Sequence, residues 1–236
     1  ASAPTLDIGY GMRLNARTQT RFAGGFQAAR SAFQAGTALP RGMSRSLAVA
    51  APQVGDVLTV NVQTDSACTR IIKRGARVVA IGQQSIILSD TLNPAGGFST
   101  ADFQRFAARF DTLVYPVDVA NFGTPADIDK NNKVVLLFTS AVNALTPRNS
   151  TSYVGGFFFD RDLFPVTDPD PNFACAGSNY SEMFYLLAPD PAGVINGNPR
   201  PTAFVDSVTT SVLAHEFQHL INASRRLYVT QNVEKF

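Results

Sequence analysis

Tryptophan is absent from this 236-residue chain, histidine and cysteine occur twice each, and glutamate occurs three times. Cys68 and Cys175 stand too far apart for a CxxC metal or redox motif, which removes zinc-ribbon and thioredoxin-type chemistry. They form either one disulfide or two separate buried thiols. Charged residues make up only 16% of the chain, against roughly 25% in an average soluble domain. The surface therefore leans on Ser, Thr, Asn and Gln, a balance that fits an exported protein better than a cytosolic one. Twenty basic and 18 acidic residues leave a net charge of +2 with no block of one sign, so neither nucleic acid nor a membrane surface is expected as a partner. No uncharged apolar run approaches the ~18 to 20 residues that cross a bilayer. The best one, 134–146, is short and carries Asn and Thr. No basic segment followed by an apolar one opens the chain, so no export signal is read there. Internal repeats, a glycine-rich phosphate loop and a GxSxG elbow are all missing, which leaves nucleotide and serine-hydrolase chemistry without support.

The scarcity of His and Glu makes their placement informative. His215, Glu216 and His219 spell His-Glu-Phe-Gln-His, the HExxH pattern. With random placement of two His and three Glu it would occur roughly 2 × 10⁻⁴ times in a chain of this length. The pattern has chemical meaning only on a helix, where residues four apart share a face and two imidazoles can meet one metal ion. That context is present. Residues 202–227 contain no Pro or Gly, and Val205, Val208, Val212, Leu213, Leu220 and Ile221 recur at three- and four-residue spacings. The Asn-Gly-Asn-Pro-Arg-Pro run at 196–201 cannot be helix interior, so Pro201 and Thr202 mark the start. His215 and His219 then share a face with Ser211 and Asn222, and Glu216 is turned about 100° from His215. Two neutral imidazoles and a third ligand would hold Zn²⁺ and lower the pKa of water at its open position to about 7. Glu216 would act as general base toward that water and return the proton to the leaving amine. The competing reading is an amphipathic helix with two satisfied histidines.

Upstream, the spacing of Phe22, Phe26, Ala29 and Phe33 predicts a short helix over 21–34. From 54 to about 91 the pattern turns to strands, with Ile71-Ile72, 77–81 and 85–88 divided by Gly75 and Gly82. This β-rich stretch is either an N-terminal module or the first strands of a catalytic sheet. The expected division is a β-rich N-terminal portion over 1–76 and a second domain over 77–236. Ser99 or Thr100 caps a predicted helix with Phe103, Phe106, Ala107 and Phe110 as its buried stripe. Strands are expected at 134–139, 153–159 and 182–187, with a loop over 165–177. Asp127, Asp129 and Asn131 at alternate positions match the start of an EF-hand Ca²⁺ loop, but its sixth position is Asn132 and its twelfth is Phe138. They are read either as an Asx-rich turn or as a Ca²⁺ site.

The run from Phe204 through His215-Glu-Phe-Gln-His219 to Arg225 resembles the active-site helix of the hyicolysin family of bacterial zinc metallopeptidases. Further likeness lies in Asp127-Ile-Asp-Lys-Asn-Asn-Lys133 with the strand after it, in Gly155-Gly-Phe-Phe-Phe-Asp160, and in Glu182-Met-Phe-Tyr-Leu186. The resemblance spans roughly 90–236 and is most specific at the helix. It implies a secreted bacterial endopeptidase with an α+β, zincin-like mixed sheet. His215 and His219 would be zinc ligands, Glu216 the catalytic base and a polypeptide the substrate. Such families take a third ligand from a glutamate on a later helix, within an Asn-Glu-Gly-like motif, and the sequence reaches Phe236 without one. Glu234 is the single glutamate downstream. It is read either as a ligand or as a solvated terminal charge, and the expectation is a missing C-terminal part or a separate C-terminal fragment that supplies the third ligand, or else a metal held by two protein ligands and an exogenous one. A catalytically silent peptide- or matrix-binding module and an inactive peptidase fragment are the alternatives. With no His to spare, an oxyanion partner would be an Arg, a backbone N–H or one of Tyr180, Tyr185 and Tyr228.

Overall fold

The computed structural model describes residues 4–18, 51–65, 68–168 and 174–227. The helix predicted over 21–34 lies outside them. A short strand β1 (Thr5–Leu6) precedes helix α1, which covers residues 10–18. Strands β2 (Val57–Asn61), β3 (Lys73–Ile81) and β4 (Ser85–Asp90) follow, and then helix α2 (Thr100–Arg109). A π-helical turn (Phe110–Val114) leads from α2 into α3 (Tyr115–Phe122). Strand β5 (Val134–Thr139), a one-turn helix α4 (Ser140–Asn143), β6 (Ser152–Tyr153) and β7 (Gly156–Phe158) come next. A 3₁₀ turn (Asp160–Leu163), β8 (Met183–Leu187) and the 24-residue helix α5 (Thr202–Arg225) complete the order.

Six strands form one mixed sheet in the order β2-β3-β4-β5-β8-β7, and β1 pairs with β6 in a separate two-stranded sheet. β4, β5 and β8 are parallel, while β7 runs antiparallel to β8 at the edge. β5, with parallel neighbours on both sides, is buried at all six positions, as its unbroken apolar run requires. Its side chains alternate between two cores. Leu136 and Phe138 join Phe103, Phe106, Phe110, Phe184, Phe217 and Leu220 on the helix-covered face. Val135 and Leu137 join Val78, Phe157, Tyr185 and Leu14 on the other. Of the two caps expected for α2, Ser99 is the one that forms, in a capping box in which Ser99 and Asp102 each accept from the other's backbone. The result is a mixed α+β architecture.

Two strand expectations are corrected. Gly75 does not divide strands: β3 runs through it opposite Thr59, and a Cβ there would be crowded by Val57 Cγ1 at 3.1 Å and Thr91 Oγ1 at 3.2 Å. Ile71 and Ile72 precede that strand and are exposed. The stretch 153–159 is not one strand. It splits at Val154 and Gly155, with β6 pairing to β1 and β7 to β8. The division after residue 76 falls inside β3, whose residues on both sides pair with β4. Among the described residues no helix is long and apolar enough to cross a membrane.

Cys68 and Cys175 are joined in a disulfide across a sequence separation of 107. Both sulfurs belong to the helix-side core. Closing so long a loop restricts the unfolded chain, so replacing both residues by Ser is expected to remove about 2–5 kcal/mol of stability. Urea unfolding of the variant beside the unreduced parent measures it, with an unchanged midpoint as the contrary result.

Candidate active site

Helix α5 begins directly after Pro201, whose φ of −56° suits a helix start. Its buried side comprises Val205, Thr209, Val212, Leu213, Glu216, Phe217, Leu220 and Ile221. Phe217 anchors the helix from one side, its ring 5.0 Å from Phe110 and stacked on Tyr115 at 5.4 Å. On the other side α5 meets the edge strand β7. The close approach needs Gly156: a Cβ there would stand 2.7 Å from Val212 Cγ1 and 2.8 Å from the Tyr185 carbonyl.

This packing sets the rotation of the helix and so places the three HExxH residues. His215 and His219 lie half-buried at the margin of the apolar face. Their Nε2 atoms are 3.2 Å apart and their ring planes are perpendicular. Two imidazole nitrogens bound to one tetrahedral Zn²⁺ at ~2.05 Å each would stand ~3.3 Å apart, so the donor pair has the spacing that a shared ion requires. The same distance allows the two rings to share a proton. Burial and the neighbouring His215 both hold the His219 imidazole below its ordinary pKa. The neutral form that it favours is the one that coordinates metal.

Glu216 is 4% exposed, and its Oε2 accepts a 2.8 Å hydrogen bond from the backbone N–H of Phe158, the last residue of β7. Burial pushes its carboxyl up to about 7, while the Phe158 bond works in the opposite direction by stabilising the charge. Helix α1 lies over the same edge. Asn15 donates from Nδ2 to the Phe158 carbonyl at 3.1 Å and accepts at Oδ1 from the Asp160 N–H at 3.1 Å. A cavity of about 310 Å³ opens here, lined by Met12, Asn15, Phe158, Asp160, His219 and Asn222.

The other candidates fall elsewhere. Glu234 and Tyr228 lie outside the described residues. Among the described residues no third His, Cys, Asp or Glu joins the two histidines within ligand distance. Tyr185 is fully buried, stacked on Phe157 at 4.7 Å, and its hydroxyl donates to Asp162 Oδ2 at 2.6 Å, so it is a core residue. Tyr180 packs against the helix-side core. Glu182 precedes β8 and comes together with Asp127 and Asp129. Sequence reasoning did not find the Phe158 N–H or Asn15. The Gly155-Gly156 pair was the available signal that a helix approaches closely there.

No protein-family profile matches the chain. Among curated proteins the chain is similar to the neutral metalloprotease ShpI of Staphylococcus hyicus, 31% identical over 128 residues. That segment is 54% of this chain and 26% of ShpI, so the match spans about a quarter of the relative's length. The similarity is distant, and it agrees at the level of a metalloprotease with the resemblance read from the sequence.

Gly156→Ala would force α5 and β7 apart. Overpacking of this kind is expected to destabilise the fold by roughly 1–3 kcal/mol. Thermal unfolding followed by circular dichroism tests this, and a variant as stable as the parent would contradict the tight contact.

Proposed function

We propose that this chain carries the catalytic portion of a zinc-dependent endopeptidase that cleaves extended polypeptides. The observation that carries the reading is the convergence of His215 and His219 Nε2 to 3.2 Å beside a Glu216 held in one orientation. The distant similarity to a metalloprotease supports the same class. His215 and His219 would hold the ion, as a donor set of two imidazoles suits Zn²⁺. When bound, zinc supplies Lewis acidity that acidifies water and polarises a carbonyl.

The remaining steps belong to the chain. Glu216 keeps Oε2 on the Phe158 N–H, which leaves Oε1 to take the proton of the attacking water and pass it to the nitrogen of the leaving amine. The fold reading is zincin-like: β7 is the antiparallel edge strand beside the HExxH helix, the place where an extended peptide would add as a further strand. The outward groups at that edge, the Phe158 carbonyl and the Asp160 N–H, are held by Asn15. A substrate would have to compete with that side-chain amide or bind past it. Secretion is part of the proposal and draws on the Cys68–Cys175 disulfide, a bond that persists in oxidising compartments.

A second reading has its own observation. Among the described residues the histidine pair gains no third protein ligand. A chain that never acquires one would be a silent peptide- or matrix-binding module; a ligand on a separate C-terminal piece would restore the enzyme. Metal content and turnover separate the two.

Glu216→Gln should retain zinc at the parent stoichiometry and lower casein hydrolysis by at least 10²-fold, the scale of a lost general base. His215→Ala should lose both. Zinc analysis of each purified variant alongside the hydrolysis assay is the measurement. Full activity in Glu216→Gln would refute the assigned base, and a parent that binds no zinc and cleaves nothing would favour the module.

A further inference from the structure

A second cluster of metal-binding groups lies away from the histidines. Asp127 and Asp129, in the loop ahead of β5, and Glu182, just ahead of β8, each bring a carboxylate oxygen within 4.8 Å of the others. The decisive member is Glu182. It is 2% exposed, its Oε1 accepts from the Ile128 N–H at 2.6 Å, and its Oε2 is buried with no hydrogen-bond partner among the described residues. A buried carboxylate oxygen without a donor, facing two further carboxylates, is strongly unfavourable unless a positive charge or a proton joins it. The nearby ammonium does not. Lys133 Nζ donates to the carbonyls of Gly82 and Gln83, both at 2.8 Å. A cavity of about 80 Å³ lined by Asp127, Glu182, Tyr115 and Lys133 gives room beside the cluster.

From this we infer that Asp127, Asp129 and Glu182 form a binding site for a hard divalent cation, Ca²⁺ by its ligand chemistry, that joins the loop ahead of β5 to the start of β8. The donors are all oxygens, with no imidazole or thiolate to favour zinc. Two oxygens on opposite sides of one Ca²⁺ stand at most ~5 Å apart, so the observed spacing suits a single ion. The site also accounts for both departures from the EF-hand pattern. Asn132 takes the glycine position with a φ of 55°. Glu182, brought in by a separate segment, replaces the acidic group that Phe138 cannot supply. Water and loop carbonyls would complete the six to eight oxygens that Ca²⁺ prefers. The inference stands independently of the zinc reading.

The test uses the whole chain stripped of divalent ions and titrated calorimetrically with CaCl₂ alone. One Ca²⁺ per chain is expected, with a Kd between about 10⁻⁶ and 10⁻³ M and a rise in thermal midpoint on saturation. Glu182→Gln and Asp127→Asn should each weaken binding at least tenfold. His215→Ala should leave it unchanged, which keeps this outcome separate from failure of the zinc site. Asp127 is exposed, so its variant decides the matter should Glu182→Gln not fold. No uptake by the parent at millimolar Ca²⁺ would overturn the site, as would a Kd unaltered by Asp127→Asn. In the first case the cluster would carry a proton in place of an ion.

Discussion

The hydrogen bond from the Phe158 N–H to Glu216 joins the outer edge of the sheet to the buried face of α5. Because both groups are buried, losing the bond would leave a carboxylate oxygen without a donor in apolar surroundings, a larger penalty than the bond's modest net worth in the folded chain. Helix rotation is therefore constrained twice, by this bond and by Phe217 against Phe110 and Tyr115 on the far side. Among the described residues the histidine rings have no comparable anchors beyond each other. Their convergence follows from helix geometry, which makes residues four apart neighbours, and the packing of the helix decides only which way the pair faces. Gly156 is what lets the helix come near enough for the bond to form.

The parts of this arrangement legible in the sequence are those set by local pattern. A Pro/Gly-free periodic run gave α5 its boundaries, and a continuous apolar stretch identified β5. The HExxH residues stood out because His and Glu are so rare here. Features that depend on distant segments were not legible. Glycine disfavours strands and so marks a break at Gly75 in the sequence, yet β3 runs through it, held by pairing to β2 and β4 that no local pattern shows. The split of 153–159 into β6 and β7 depends on β1, a two-residue strand too short for a periodicity signal. Nor could spacing show that Glu182 faces the Asp127 loop, since that proximity arises from β5 and β8 being adjacent and parallel.

The two proposed donor sets differ in kind, and so do the roles proposed for them. Both imidazoles are half-buried, and that of His219 lines a cavity that a ligand could enter. The carboxylate trio is closed by a buried glutamate, and a cation held there would tie two backbone segments together. Nitrogen donors beside an open cleft suit reaction chemistry, whereas an all-oxygen cage between strands suits cross-linking.

One strand connects them. Glu182 is two residues before Phe184, which pairs directly with Phe158, the residue whose N–H orients Glu216. A cation on Glu182 would thus hold the start of β8 against the Asp127 loop and, through the β8–β7 ladder, steady the backbone donor that orients Glu216, the base we propose. Because that ladder is a short three-residue pairing at the sheet edge, it has little stability of its own to draw on. Its position draws on what anchors β8, which is the five-residue parallel pairing with β5 and, at the start of the strand, Glu182, whose carbonyl accepts from the Val135 N–H and whose carboxylate accepts from the Ile128 N–H.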